Sequence, residues 1–373
     1  MKKRENRIFP ICLLLALAVC FLAACSSGKG GTRESPGASE SASQSTSESV
    51  NGSGNGADDS GESTEAAEKK LRIGVAIYRY DDNFMKLYRE ELRQYLEEAY
   101  NAEVVVRNAR GEQEEQISQV NEFIEAGYDG IIVNLVDTDR AGVIADSCHE
   151  AGIPLVFINR QPKADEQARW KAEKMAVSCI GTDSKQAGTY QGGIILETEK
   201  RGDFNGDGVV SYVMIMGEKD NEDSNYRTEY SIKALEDGGM KTEKLFSGHA
   251  DWKKEEGRKL AEKALALYGR RIEVIFCNND AMANGAWEAI DAAGRKTGKD
   301  IYLVGVDALT EAVQNVIDGK QTGTVFNDHF SQAKAAADAA VKFIGGEEVD
   351  AKIPVDYIKV TNANAQEILD KLK

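Results

Sequence analysis

Histidine and positive charge are both scarce in this 373-residue chain, and each scarcity excludes a class of protein. The chain has 3 histidines, and none lies beside a Ser or Cys nucleophile motif. No Gly-x-x-x-x-Gly-Lys phosphate loop occurs, and no Gly-x-Gly-x-x-Gly follows the first apolar strand. Lys and Arg number 46 against 62 Asp and Glu, a formal net charge of -16, so no basic surface for nucleic acid is indicated. These absences argue against an enzyme and against a nucleic-acid partner.

Cysteines are also few and are placed without metal-ligand spacing. Of the 6 in the chain, three fall within the first 25 residues. The other three are Cys148, Cys179 and Cys277, an odd and scattered set whose neighbours are apolar. We therefore predict buried free thiols and no disulfide.

The N-terminus has the pattern of an export signal. Residues 1–7 carry four basic side chains, and Ile8 to Val19 form an apolar run too short to span a bilayer comfortably. The run leads into Leu22-Ala23-Ala24-Cys25, which resembles the lipobox of bacterial lipoproteins. We predict a signal peptide over residues 1–24 and lipidation of Cys25, which would anchor the protein to the outer face of the cell membrane. The alternative is an ordinary secretory signal that ends in a chance cysteine.

Residues 25–69 differ in composition from everything that follows. They are rich in Ser and Gly and contain almost no aliphatic side chain. Such a segment cannot bury enough apolar area to offset the entropy of ordering. We predict a disordered tether between the lipid and a folded body that begins near residue 70.

The body alternates short apolar strands with amphipathic helices. Predicted strands lie at residues 71–78, 130–134, 153–157, 212–216, 273–277, 302–306 and 324–326. Repeated strand-helix units of this kind predict an α/β fold with doubly wound parallel sheets. A break near Asn159 to Lys174, together with the length, indicates two lobes.

Nearly every predicted strand is followed by Asp or Asn. The residues at these strand ends include Asp82, Asn134, Asn279, Asp307 and Asn327. Ligands of open α/β sheets lie beyond the carboxyl ends of the strands. Planar amides and carboxylates there can engage neighbouring hydroxyls of a sugar, and Phe84 and Trp252 can stack on its apolar face. The simpler alternative is that Asp81, Asp280 or Asp328 only caps a helix and that the aromatic rings belong to the core, although capping accounts poorly for Asn134 and Asp307.

Six segments in order along the body are familiar together. They are Ile77-Tyr78-Arg79-Tyr80-Asp81-Asp82-Asn83-Phe84, Asn134-Leu135-Val136-Asp137, Gly181-Thr182-Asp183-Ser184-Lys185, Asn278-Asn279-Asp280-Ala281-Met282-Ala283, Gly305-Val306-Asp307-Ala308-Leu309 and Gly323-Thr324-Val325-Phe326-Asn327-Asp328. This set closely resembles the bacterial galactose/glucose-binding proteins of ABC import. The resemblance covers essentially residue 71 to the C-terminus.

The resemblance implies two Rossmann-like lobes of the periplasmic binding protein type I class, joined by a three-segment hinge and closing on one hexose. The lobes would span residues 70–158 plus 328–354 and residues 159–327 plus 355–373. The sugar contacts it implies are Asp82, Phe84, Asn134, Asn221, Asp223, Arg227, Trp252, Asn279, Asp307 and Asn327. Asn221 stands where the family usually has histidine.

The implied partner of such a protein is an ABC permease. A monomer is expected. The alternative is a sugar sensor whose closed form is read by a chemoreceptor or a membrane kinase. The sequence leaves the preference between glucose and galactose open.

Asp203 to Ser211 suggests a calcium site. The segment Asp203-Phe204-Asn205-Gly206-Asp207-Gly208-Val209-Val210-Ser211 places oxygens at alternate positions with glycine at the turn, like most of an EF-hand loop. A plain Asx- and Gly-rich turn is the alternative, because Met214 stands where the loop's glutamate should be. The resemblance implies that Glu273 completes a structural Ca²⁺ site. Its ligands would be Asp203, Asn205, Asp207, Val209, Ser211 and Glu273, with Ser211 replacing a longer amide.

The anchor prediction is tested at Cys25. Cys25→Ala removes the acceptor of the lipid, so the protein should appear in the medium or remain unprocessed. Metabolic lipid labelling and cell fractionation measure this, with wild type as the control. Membrane retention of unlabelled Cys25→Ala protein would contradict the lipoprotein prediction.

Overall fold

The computed structural model of the protein describes residues 70–373, and the predicted signal peptide, Cys25 and the tether lie outside the described residues. Strands β1 to β12 span Arg72–Ile77, Glu103–Asn108, Gly130–Asn134, Leu155–Ile158, Val177–Gly181, Val209–Met216, Lys241–His249, Val274–Cys277, Tyr302–Val304, Thr324–Phe326, Lys352–Pro354 and Ile358–Val360. Helices α1 to α11 span Asn83–Tyr100, Gln113–Glu125, Ala141–Glu150, Ala164–Glu173, Ser184–Leu196, Glu222–Asp237, Lys254–Tyr268, Asp280–Ala292, Thr310–Ile317, His329–Ile344 and Ala365–Lys371.

The first lobe is built on a parallel sheet of six strands in the order β11-β5-β4-β3-β1-β2. Its strands are apolar on both faces because helices cover both. Ile73, Val75 and Ile77 of β1 share a core with apolar residues of α1 and α10. Ala76, between them, belongs to the core on the opposite face with Phe123 of α2. Burial on both faces explains why these strands are continuous apolar runs in the sequence.

The second lobe has a parallel sheet of four strands in the order β7-β6-β8-β9. β10 pairs antiparallel with β12 and continues the sheet through bridges from Val304 to Gly323 and from Asp307 to Phe326. One face packs against α7 and α8 and the other against α5 and α6. The predicted α/β fold with two lobes of parallel strands is therefore confirmed.

One predicted lobe boundary is wrong. Residues 159–181 were assigned to the second lobe, but β5 pairs with β4 of the first sheet, and Trp170 of α4 stacks on Phe157 of β4 with ring centroids 5.3 Å apart. The polar stretch after β4, which was predicted to be the break between the lobes, holds α4 and returns the chain to the same sheet. The chain crosses between the two sheets after β5, again after β10, and a third time between β11 and β12.

The three cysteines of the body are free and buried, as predicted. Burial raises the pKa of Cys148 and Cys179 to about 12, so both thiols stay protonated. Among the helices of residues 70–373, none combines the length and apolar character needed to cross a membrane.

His329 begins α10, immediately after the second crossing. Its ring lies among three aromatic rings, with centroid distances of 6.4 Å to Phe84, 6.1 Å to Phe326 and 4.1 Å to Phe330. Burial lowers the pKa of His329 to about 4, and the nearby Asp328 carboxylate offsets this only in part. The folded protein therefore holds His329 neutral.

This burial predicts a loss of stability on acidification. Unfolded His329 binds a proton near its ordinary pKa of about 6.5, whereas the folded form binds one only near 4. The contribution of the neutral ring is complete above about pH 6.5 and is lost as the pH falls toward 4, about 3 kcal/mol in total. Urea unfolding across this range should show a shallower pH dependence for His329→Gln than for wild type. His149→Gln, on an exposed site, is the control, and equal slopes for all three proteins would refute the assignment.

Candidate functional site

The carboxyl ends of both sheets open onto one cleft between the lobes. A crevice forms in each sheet where the strand order reverses, beside β1 in the first lobe and beside β6 in the second. The loops that follow the strands surround a small cavity. It is lined by Tyr78, Asp82, Phe84, Asn159, Arg160, Asn221, Asp223, Arg227, Trp252, Asn279, Asp307 and Asn327. All the predicted sugar contacts except Asn134 are therefore brought together.

Asn134 ends β3 behind the cleft and does not line it. Its side chain is buried, and Nδ2 donates to the carbonyl of Ile158 and to Oδ1 of Asn159, both at 3.1 Å. Asn159 is the residue exposed to the cleft, and it has a left-handed φ of 61°. Asn134 thus supports Asn159, while its own Oδ1 has no protein partner, and the predicted sugar contact at Asn134 stays a prediction.

Three cleft residues also cap helices. Asp82, Asn221 and Asn279 accept hydrogen bonds from backbone amides three residues later, at 2.8, 3.0 and 3.0 Å. Capping of a helix and lining of the cleft therefore fall on the same side chains. Each cap uses one oxygen of the side chain and fixes its rotamer, so the remaining polar atom is held in place at the start of a helix. The second oxygen of Asp82 accepts from the Tyr78 hydroxyl at 2.5 Å.

Arg227 of α6 forms the floor of the cleft with Asp307. Its Nη1 donates to the carbonyl of Asn278 at 2.8 Å and lies 3.7 Å from Oδ1 of Asp307, while Nη2 donates to the Tyr357 hydroxyl at 3.0 Å. Asn327 donates to the same Asp307 oxygen at 3.3 Å. Nε of Arg227 is buried without a protein partner. One donor of the guanidinium is therefore available to a ligand oxygen.

The charges of Arg227 and Asp307 each offset part of the cost of burying the other. Burial raises the pKa of Asp307 well above its ordinary value, and the Arg227 guanidinium opposes that rise. Burial alone would lower the pKa of Arg227, but Tyr357, Asp307 and Asp223 raise it above its usual range. A positive guanidinium beside a carboxylate offers donors and acceptors within one small space. That combination suits the paired hydroxyls of a sugar ring.

Two close approaches of the backbone position the floor and the wall of the cleft. A Cβ on Gly188 of α5 would lie 2.8 Å from the carbonyl oxygen of Arg227, so only glycine lets α6 come this near. A Cβ on Gly217, directly after β6, would lie 2.2 Å from the indole of Trp252. The indole lies over that glycine, and Phe84 lines the cleft from the first lobe. The cleft therefore has an aromatic side chain from each lobe.

Tyr78, Asn159 and Arg160 line the cleft but were missed by the sequence analysis. The Arg160 guanidinium lies 3.8 Å from the centre of the Tyr78 ring and 2.6 Å from the carboxylate of Glu218, in the other lobe. Arg79 approaches the same carboxylate at 2.9 Å. Asn159 and Arg160 could have been predicted from their position, because both follow directly on the carboxyl end of β4. The wrong lobe boundary assigned them to the second lobe and so hid this signal.

The predicted calcium loop lies away from this cleft, and Glu273 is packed against it. One Glu273 oxygen accepts from the amides of Phe204 and Asn205 at 2.7 and 3.1 Å, and the other accepts from the amide of Ser211 at 3.0 Å. Burial raises the pKa of Glu273 despite these bonds. The Ser211 hydroxyl contacts Glu243 at 3.3 Å instead of the loop. The structure thus brings the distant glutamate to the loop but engages the Ser211 side chain elsewhere.

The loop itself is held by its own side chains. The two oxygens of Asp203 accept from the amides of Gly206 and Gly208 at 2.7 and 2.9 Å, and Asn205 and Asp207 each accept from the amide two residues later. Over residues 70–373, no group of three or more His, Cys, Asp or Glu side chains converges as metal ligands do. The oxygens of Asp203, Asn205 and Asp207 nevertheless form the type of set that a hard cation takes.

Comparison with known proteins matches most of the chain to one family. Residues 73–348 match the model of the periplasmic binding protein domain. The D-galactose/methyl-galactoside binding periplasmic protein of Haemophilus influenzae is 32% identical over 322 residues, which cover 83% of this chain and 95% of that protein. The ribose import binding protein of Bacillus subtilis is 22% identical over 296 residues, covering 78% and 87%.

A solved structure gives a match of similar extent. It is an ABC transporter solute binding protein from Bacillus halodurans with bound myo-inositol, which aligns with a TM-score of 0.70 and 29% identity. The alignment covers 81% of this chain and 98% of that one.

Proposed function

This chain belongs to the periplasmic binding protein family, and from that membership we propose that it captures a hexose, D-galactose or D-glucose, for an ABC importer. The names of its relatives describe binding and import of sugars or polyols and not catalysis. The observation that carries the proposal is the floor formed by Arg227 and Asp307, with a buried guanidinium Nε that has no protein partner.

The cleft supports a ligand of one sugar ring. Residues of both lobes line one small space between the strand ends. Carboxylates and amides that follow the strands supply directional hydrogen bonds to hydroxyls, and Trp252 and Phe84 supply apolar faces. The choice of galactose or glucose rests on the six ordered segments and on the 32% identical relative.

The location and the partners are proposed on the same basis. A lipid on Cys25 would hold the protein at the outer face of the membrane, where it delivers sugar to permease subunits. The sensing alternative uses the same cleft and differs only in the partner that contacts the outer faces of the lobes. Import is favoured because the relatives named above are import or transporter proteins.

The sugar site is tested by Asp307→Asn. Asp307 has a positive φ of 109°, which Asn tolerates better than Ala, so this variant removes the charge with little backbone strain. Loss of a hydrogen-bonding charge costs roughly 1.5–3 kcal/mol, or about tenfold or more in affinity. Calorimetric titration with D-galactose, D-glucose, D-ribose and myo-inositol measures both the preferred ligand and this loss.

Asp318→Asn, which removes a carboxylate at the end of α9 paired with Lys320, is the matched control and should bind as wild type does. Equal affinity of Asp307→Asn and wild type would place Asp307 outside the ligand contacts. Preference for D-ribose or myo-inositol over both hexoses would contradict the proposed ligand.

We also propose that a structural Ca²⁺ ion is bound by the loop from Asp203 to Ser211 together with Glu273. Asp203, Asp207 and Glu273 would supply carboxylate oxygens, Asn205 a side-chain carbonyl and Val209 a main-chain carbonyl. Support comes from the burial of Glu273, which is 2% exposed and lies against the loop although it is distant in sequence. An ion there would offset the cost of burying that carboxylate. With its hydroxyl turned toward Glu243, Ser211 is the weakest member of the proposed set.

Calcium binding predicts a melting temperature that depends on the ion. Excess chelator should lower it and added calcium should restore it, because a ligand that binds only the folded state stabilises it by mass action. Glu273→Gln should abolish the calcium-dependent shift and leave sugar binding in place. Glu243→Gln, which alters the neighbour of Ser211 and its ion pair with Arg271, is the control. A melting curve of metal-free protein that calcium does not change would contradict the site.

A further inference from the structure

Tyr357 lies on the third crossing between the lobes, directly behind the cleft. Residues 355–357 connect β11 of the first sheet to β12 of the second lobe. The Tyr357 ring is 3% exposed and packs in the core of the second lobe, and its backbone amide donates to the Gln186 side chain at 2.7 Å. Tyr357 does not line the cleft, but its hydroxyl accepts from Nη2 of Arg227 at 3.0 Å.

The same hydroxyl connects the cleft to the first crossing. Thr182, which follows β5 on this crossing, lies close to the Tyr357 hydroxyl. Nearby, the amide of Val355 donates to the carbonyl of Gly181 at 2.9 Å, so the first and third crossings are hydrogen-bonded side by side. Any rotation of one lobe against the other must change the backbone at these residues. The Tyr357 hydroxyl therefore lies on the hinge and at the same time contacts the Arg227 guanidinium.

Arg227 also reaches the second crossing. Its Nη1 lies 3.7 Å from Asp307, and Asp307 accepts from Asn327, the residue between β10 and α10. The guanidinium thus touches the third crossing directly and reaches the first through Tyr357 and the second through Asp307. A guanidinium is a rigid planar fork, so fixing Nη2 and Nη1 also fixes the direction of Nε, the donor left for a ligand.

We propose that Tyr357 is a positioning residue of the sugar site, whose hydroxyl orients the Arg227 guanidinium toward the ligand and couples ligand contact to the closure of the hinge. The proposal rests on the proposed function of the cleft and adds a residue outside it. No water-exposed group can replace the hydroxyl, because Arg227 and Tyr357 are both buried. Without it, the ligand would have to pair with a guanidinium that is free to tilt.

Tyr357→Phe tests this by removing one oxygen from a ring that stays packed. Loss of a hydrogen bond to a charged group is expected to weaken D-galactose binding about tenfold. The loss should appear mainly as faster dissociation, followed by Trp252 fluorescence in stopped flow, because the closed complex is what the hydroxyl stabilises. Tyr212→Phe is the matched control, since that ring is buried in the same core and lies outside the cleft lining.

A double-mutant cycle separates positioning from a merely structural role. Asp307 and Tyr357 hold the guanidinium from two sides, so the loss in Asp307→Asn/Tyr357→Phe should be smaller than the product of the single losses by about threefold or more. Thr182→Val, which acts on the same hydroxyl from the hinge, should show a smaller loss of the same kind. Urea unfolding of each variant reports whether the fold is retained.

The outcomes distinguish this inference from the proposed function. If full-length wild type binds neither D-galactose nor D-glucose, the proposed function is wrong and this inference with it. If wild type binds and Tyr357→Phe binds as tightly as Tyr212→Phe, only the role of Tyr357 is wrong. Losses that multiply fully in the double variant would also overturn it, because Tyr357 would then act independently of Arg227.

Discussion

Burial of the Arg227 guanidinium is the constraint on which the rest of the cleft depends. A positive charge removed from water is costly unless it is paired and hydrogen-bonded. Here Asp307, the Asn278 carbonyl and the Tyr357 hydroxyl surround it, and each comes from a different part of the chain. Satisfying one charge therefore requires the correct arrangement of a helix, two strand ends and a hinge segment. The binding floor and the lobe connections are one structure for this reason.

The helix caps at the cleft carry two roles with a single side chain. Asp82 and Asn279 each satisfy a backbone amide that a helix start leaves unpaired, and each lines the cleft. Capping holds the side chain in one rotamer before any ligand arrives, which lowers the entropy lost on binding. Helix capping and lining of the cleft therefore favour the same residue types at these strand ends.

The two lobes also meet through charged groups at the cleft edge. Glu218 of the second lobe contacts Arg160 and Arg79 of the first at 2.6 and 2.9 Å, and Arg79 donates to the carbonyl of Asp251 at 3.1 Å. These groups are partly exposed, so each contact is screened more than the one at Arg227. Their geometry still favours the arrangement in which the lobes approach each other. The hinge, the floor and this edge thus enclose the cleft from different sides.

The sequence alone predicted seven of the strands and the polar residues at their ends, which include Asp82, Asn279, Asp307 and Asn327 of the cleft. This was possible because parallel strands buried on both faces leave a strong apolar signal, and their carboxyl ends all point to one edge. Asn221, Asp223 and Arg227 were expected only through the family resemblance. The sequence did not determine that residues 159–181 return to the first sheet, or that Asn159 and Arg160 line the cleft. Strand pairing and side-chain direction at a loop depend on contacts between segments far apart in the chain. The contact of Tyr357 with Arg227 is of the same kind, since 130 residues separate them and only the hinge brings them together.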